Sequence, residues 1–417
     1  MAASRSVEDK DKSQDEDKDR DKITDEDRTK DKSRNIILLG FVSLLNDISS
    51  EIIQPILPLF ITSLGGGSLA LGLIGGISDG LPSILKIFAG YWSDRLGRRK
   101  PMVVAGYGLS AATKLLLPLS GTWQQVLALR TLERSGKGIR SAPRDAMISE
   151  SASKGAMGRG FGLHRSMDSF GAVIGSFAAY VLWQSGMEFQ SIFFVAGILA
   201  VVALIPFFKV EESFRSPASQ LHLSLSDLTP ELREFIAIAA LFSLGNFSYM
   251  FMILRAGQFF TGASAVAAPL LLYVLFNIVY ASMALPVGIW SDRIGRKNVL
   301  IMGYALFAVT ALGFAAVSSL VGLIILFALY GLVFAMVDAS ERAFVSDLSM
   351  PHVRSTSLGF YYGAVGLAAI ISGLVAGVLW AEFGAGATFV FGASAAALAT
   401  LALWRMKSSG KKIETNT

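Results

Sequence analysis

Asp47 and Glu51 stand four residues apart in a stretch that is otherwise apolar, so a helix would carry both carboxylates on one face. Further along, Arg130, Arg134 and Lys137 recur at spacings of four and three and form a basic stripe, with Glu133 set among them. Arg165 and Asp168 share a third face, and Asp79 lies alone in a glycine-rich segment. Carboxylates and guanidinium groups in apolar surroundings have two uses. They can form internal ion pairs, for example Asp79 with Lys86 or Arg134 with Asp47, which usually serve some end other than stability. They can also exchange protons and partners as a buried site opens first to one side and then to the other.

The elements that would hold these groups are apolar. The chain has 417 residues, 53% hydrophobic and only 17% charged, against about 25% charged in ordinary soluble proteins. It has no cysteine and three histidines, which excludes disulfides and thiolate sites and leaves little for a metal centre. Apolar stretches long enough to cross a bilayer follow one another at 36–61, 68–92, 101–120, 122–145, 159–183 and 189–208, then at 234–258, 265–290, 298–317, 320–341, 356–380 and 385–405. Only helices can fill such spans in lipid. The expected protein is all-α, with two six-helix halves at 35–208 and 234–406. A charged tail (1–34), a polar connector (209–233) and a short tail (407–417) complete it.

One stretch occurs twice. Gly90, Asp94, Arg95, Gly97 and Arg98 return as Gly288, Asp292, Arg293, Gly295 and Arg296, each displaced by 198 residues. Arg144 and Arg342 are related by the same shift. The basic loops fall on one side by parity, so the positive-inside rule places both termini in the cytoplasm. Duplicated halves around a central site are the construction of a secondary transporter.

The repeated stretch resembles the Gly-x-x-x-Asp-Arg-x-Gly-Arg-Arg/Lys signature of the major facilitator superfamily, and with the duplication the resemblance covers residues 35–405. It implies two bundles rocking around a midplane site. It also implies a cytoplasmic gate built from the two copies, with Gly90 and Gly97 permitting close approach, Asp94 capping or pairing, and Arg98 meeting Asp145 or Glu150. Arg144 and Arg342 belong to the same gate. Two motifs of the superfamily are altered. Arg130 occupies the position of the helix 4 arginine, but Arg134 replaces the glycine that follows it. Gly171 to Gly175 lacks the proline of drug/proton antiporters.

The site expected from the residues is a cavity lined by Asn46, Asp47, Glu51, Asp79, Arg130, Glu133, Arg134, Lys137, Arg165 and Asp168. Asn246, Tyr249 and Asn277 supply a softer wall from the second half, together with Tyr273, Tyr280, Tyr361 and Tyr362. Arg255 is expected to snorkel at the outer interface. Ser135 to Gly138 lacks the upstream glycine and the hydroxyl of a phosphate loop, so no nucleotide-hydrolysing apparatus is found and a gradient must drive the work. The expectation is a monomeric, multi-pass transporter of the plasma membrane, coupled to protons and exporting a small amphipathic or anionic compound. No metal, cofactor or nucleic acid is called for. An importer of an anionic metabolite or a metal chelate is the alternative, and a non-transporting receptor or scaffold is the alternative of another class. Because charge concentrates in the first half, coupling is expected there, with the second half as a partner wall.

Overall fold

The computed structural model describes residues 34–151, 157–212, 228–350 and 354–406. The terminal tails, most of the connector and the side chain of Asp94 lie outside the described residues. The described residues contain helices and no strand.

Helix α1 runs over Arg34–Ser63 and is interrupted at residues 54–56, beside Pro55. It is followed by α2 (Ser68–Leu96), α3 (Lys100–Leu116), α4 (Trp123–Ser151), α5 (Met157–Gln184) and α6 (Phe189–Val202). The second series opens with α7 (Pro230–Gly257), whose turns break at residues 246–249. After it come α8 (Ser264–Ile294), α9 (Arg296–Ala316) and α10 (Leu320–Leu348). The final run, Arg354–Arg405, is divided into α11 and α12 by Gly384 at φ 82°.

Nine helical runs among the described residues are long and apolar enough to cross a membrane, with α11 and α12 taken as one. Helices α4 and α5 are outside that set although α4 has 29 residues and α5 has 28. Their polar and charged side chains lower the hydropathy, and these are the residues that form the site. Several helices outrun the apolar stretches read from the sequence. α2, α4 and α10 continue beyond residues 92, 145 and 341 into the basic side of the protein.

Packing repeats between the two series. α4 lies against α2 and α3, and α10 against α8 and α9. The two most extensive contacts between the series are α2 along the α11–α12 run and α5 along α8. Glycine makes the α2–α11 contact so close that backbones touch. A Cβ added at Gly76 would fall 2.9 Å from the Ile370 carbonyl oxygen and 3.2 Å from the Gly373 Cα. At the far end of the same seam, Ser68 donates to the Gly377 carbonyl at 3.0 Å.

Glycines of the repeated stretch do different work. Gly97 ends α2 in the left-handed region at φ 63°, and Gly295 separates α8 from α9 at φ 93°. Gly90 and Gly288 are not sites of close approach. A Cβ at Gly90 would meet Ala142 at an ordinary 3.6 Å, and at Gly288 it would meet nothing within 4 Å. The second copy is tied down by Arg296, which donates to the Ala343 carbonyl at 2.8 Å and pairs with Asp347 at 3.0 Å and Asp292 at 3.4 Å. In the first copy Glu150 pairs with Arg99, the neighbour of Arg98, and Asp145 pairs with Arg144 at 2.9 Å. Arg95 and Arg293 are exposed at their helix ends.

Candidate functional site

Helix α4 supplies the densest part of the site. Arg130, Glu133 and Arg134 are 2%, 2% and 4% exposed. Glu133 accepts Arg130 Nη1 at 3.0 Å and faces Arg134 Nε at 3.3 Å, so one carboxylate serves two guanidinium groups. The three lie on one helix at spacings of three and one, and Gly136 lets α4 sit close on α3, with a would-be Cβ 2.7 Å from Ser110 Oγ. Desolvating three charges is costly, and their mutual attraction in a medium of low dielectric offsets that cost only while all three are present.

From Arg134 a hydrogen-bonded path leaves α4. Arg134 Nη2 donates to Gln54 Oε1 at 3.4 Å, and Gln54 Nε2 donates to Glu51 Oε1 at 2.5 Å. The other oxygen of Glu51 accepts the Tyr273 hydroxyl of α8 at 3.0 Å. Tyr249, beside the break in α7, donates to the Gln54 carbonyl at 3.1 Å. That carbonyl is available because α1 is interrupted there. The path therefore joins both helical series, roughly 10 Å along the axis from the start of α4.

Asp47 follows a different course from Glu51. It accepts only a long contact of 3.5 Å from Asn46, and the charges around it are Lys137, Arg140, Arg144 and Asp168. The ion pair of Arg134 with Asp47, one of two uses the sequence left open, does not form: Glu133 and Gln54 take the guanidinium. Nor does Asp79 pair with Lys86. The Lys86 ammonium sits 4.9 Å over the Tyr362 ring, while Asp79 is exposed and faces Arg134, Lys137 and Arg130.

Lys114 of α3 is a further buried cation. It is 1% exposed and reaches Ser50 Oγ at 2.8 Å, Ser49 Oγ at 3.1 Å and both oxygens of Asn46 at 3.4 Å. Neutral oxygens alone hold this ammonium to α1. Nearer the basic side, Arg140 stacks over the Tyr107 ring at 4.2 Å and donates to Ser110 at 2.6 Å. Arg144 donates to Ser43 at 2.8 Å. Both point within the first series rather than across to the second.

The contact between the series on the basic side is made by other residues. Asp338 Oδ2 receives Arg165 Nη2 at 2.7 Å, Arg342 Nη2 at 2.7 Å and the Tyr280 hydroxyl at 3.1 Å, and Arg165 also meets Tyr280. Arg165, expected in the central cavity, thus sits in this crossing, and its neighbour Asp168 turns to His164 at 3.4 Å. Asp338 was missed as a site residue because its partners on α5 and α8 are far away in sequence. Only Arg342, one helical turn on, gave a local hint.

Glu341 was passed over for the same reason. It is 6% exposed and accepts the Tyr304 and Tyr361 hydroxyls, each at 2.5 Å. The tyrosines of the second series therefore do more than line a wall. Tyr249, Tyr273, Tyr280, Tyr304 and Tyr361 each place a hydroxyl on a named acceptor. Asn246 Oδ1 is buried without a partner among the described residues, and Asn277 lies beside the Tyr273 hydroxyl. Arg255 does not snorkel freely: it donates to the Phe314 and Val317 carbonyls at 3.2 and 3.3 Å, capping the end of α9.

Comparison with known proteins agrees with this architecture. The Major Facilitator Superfamily model matches residues 39–276 and 236–416. An uncharacterized MFS-type transporter of Methanocaldococcus jannaschii is 45% identical over 379 residues, covering 89% of this chain and 94% of the relative. The multidrug resistance protein MdtH of Photorhabdus laumondii is 26% identical, covering 72% of this chain and 75% of its own. Among solved structures, the nucleoside transporter NupG superposes with a TM-score of 0.74 at 16% identity, over 89% of this chain and 98% of that one. The human organic anion transporter MFSD10 gives 0.65 at 19%, over 89% and 99%. At such identities the likeness of the structures speaks for the fold.

Proposed function

Because this chain belongs to the major facilitator superfamily and is a multi-pass membrane transporter of that type, we propose that it is a proton-coupled exporter of a small amphipathic or anionic compound, working by alternating access. The observation that carries this reading is the path from Arg130 through Glu133, Arg134, Gln54 and Glu51 to Tyr273. It places exchangeable carboxylate and guanidinium groups where the two series meet. Glu51 and Asp47 are the proton-carrying candidates, since neither is locked to a cation at hydrogen-bond distance. The crossing of Arg165, Tyr280 and Asp338 is the gate on the basic side, to be broken when that side opens.

In this reading the chain works as a monomer in the plasma membrane with the basic side facing the cytoplasm. Its two six-helix halves divide at the connector. The multidrug resistance relative favours export over import.

The test begins with a thermal-shift screen of the purified protein over organic anions, cations and drugs at two pH values. Compounds that bind are then followed in proteoliposomes under an imposed proton gradient. Gradient-driven flux that collapses in Asp47→Asn and Glu51→Gln is the expected result. Full flux in both variants would sink the coupling assignment, and binding without any flux would favour a receptor.

A further inference from the structure

The Arg130 guanidinium is only half used. Its Nη1 is held by Glu133, while Nε and Nη2 have no hydrogen-bond partner among the described residues. These two N–H groups lie on one edge of the planar fork and point the same way. That edge is the one on which a carboxylate or phosphate docks through two parallel bonds. The side chain is 2% exposed, so bulk water does not compensate the pair. A buried, charged donor pair of this kind is costly to leave unmatched.

The surroundings say what else must be present. The ionisable groups nearest Arg130 are Arg134, Glu133, Tyr249 and Asp79. Glu133 is engaged by both arginines. Asp79 is exposed, and no ion pair joins it to Arg130 or Arg134 among the described residues, so its charge is not spent on either guanidinium. One turn along α2 from Asp79, Gly75 abuts Ser248 of α7, whose hydroxyl is turned to the Asp79 carboxylate, and the Ser78 hydroxyl is buried without a partner among the described residues. α2 and α4 thus bring groups of opposite charge, Asp79 and the open edge of Arg130, to one region beside Ser248.

We propose that the transported compound is a small zwitterion. Its oxyanion, a carboxylate or phosphate, seats on the Nε/Nη2 edge of Arg130, and its ammonium or other donor is turned to Asp79. Ser78 and Ser248 supply the remaining hydrogen bonds. The proposal rests on the transport reading for its purpose but not for its test, because binding is measured without a gradient.

The probes are phosphoethanolamine and 4-aminobutyrate, with acetate and butylamine as compounds that carry one group only. At millimolar concentration at least one zwitterion is expected to raise the Tm of the full-length protein by about 2 °C or more, and the single-group compounds by less. Arg130→Lys keeps the charge but loses the fork and should abolish the shift. Asp79→Asn should abolish it for the zwitterion and leave any effect of acetate. Since Arg130→Lys can fail to fold, Asp79→Asn, at an exposed position, is read independently by the same shift. No shift with any probe, a shift retained in a folded Arg130→Lys, or a zwitterion shift retained in Asp79→Asn each overturns the proposal. Transport of a compound that binds elsewhere would leave the transport reading intact while this one fell.

Discussion

Arg165 and Asp338 are 173 residues apart in the chain and meet at 2.7 Å, carrying α5 against α10 on the basic side. Asp338 also takes Arg342, so a single carboxylate oxygen holds one arginine from each series. The group is about half exposed, 48% for Arg165 and 36% for Asp338, which limits its strength to roughly 0.5–1 kcal/mol after solvent screening. In the proposed alternating-access cycle, that is a suitable strength for a contact that has to break.

Replacing Asp338 by Asn should therefore open the basic side more often without unfolding the protein. The chain has no cysteine, so one introduced thiol reports cleanly. Gly162 on α5 has room for a side chain. Maleimide labelling at Gly162→Cys should quicken about two- to fivefold in the Asp338→Asn background. Asp338→Glu should stay near the unaltered rate. Exchanging the charges of Arg165 and Asp338 should not restore closure, because Arg342 needs the same carboxylate.

Glu133 is the keystone of the α4 cluster. Glu133→Gln leaves Arg130 and Arg134 buried without their counter-ion and should cost about 3–5 kcal/mol. Replacing Arg130, Glu133 and Arg134 together by Met, Leu and Met should be less destabilising than the single change, while removing activity. Thermal unfolding of both variants in one detergent decides this, and equal losses would mean that the cluster is not electrostatically coupled.

The α2–α11 seam predicts opposite outcomes for two glycine-to-alanine changes. In Gly373→Ala the new Cβ comes within 2.7 Å of the Gly76 Cα and 2.8 Å of its nitrogen, and backbone cannot yield as a side chain can. A loss of about 1–3 kcal/mol follows. In Gly108→Ala, within α3, the Cβ meets nothing within 4 Å, and helix propensity favours alanine by up to about 1 kcal/mol. A higher Tm for Gly108→Ala and a lower one for Gly373→Ala is the expected pair of results.

Much of this was legible beforehand, and the reason is periodicity. The apolar stretches, the duplication by 198 residues and the stripe on α4 are all properties of neighbouring positions. Partnership across helices is not. Four residues between Asp47 and Glu51 place them on one face of α1, yet nothing local says that Gln54 will hand Glu51 to Arg134, or that the break at Pro55 will free a carbonyl for Tyr249. The same blindness hid Asp338 and Glu341, whose partners come from α5, α8, α9 and α11. Charge counting also misled: the second series has few charges, but Asp338 and Glu341 are both placed on tyrosine hydroxyls, and Asp338 on two arginines as well.

Glu341 permits a separate check inside that second series. Each of its oxygens accepts one tyrosine hydroxyl, so Glu341→Gln and Tyr304→Phe disrupt the same bond. Each change alone should cost about 1–3 kcal/mol. Combined, they should cost less than the sum, with a coupling of at least about 0.5 kcal/mol in a double-mutant cycle. Strict additivity would mean that the two groups do not interact.

The α2–α11 seam bears on motion as well as stability. Where bulky side chains interlock, one helix must climb over another's ridges to move, and that barrier favours discrete positions. Gly76 and Gly373 present no ridge, and their faces are bare peptide. Such a surface behaves like a plain bearing. It keeps the two helices in contact while letting one roll on the other, so under the proposed mechanism the widening would come from the charged crossings elsewhere and not from this line.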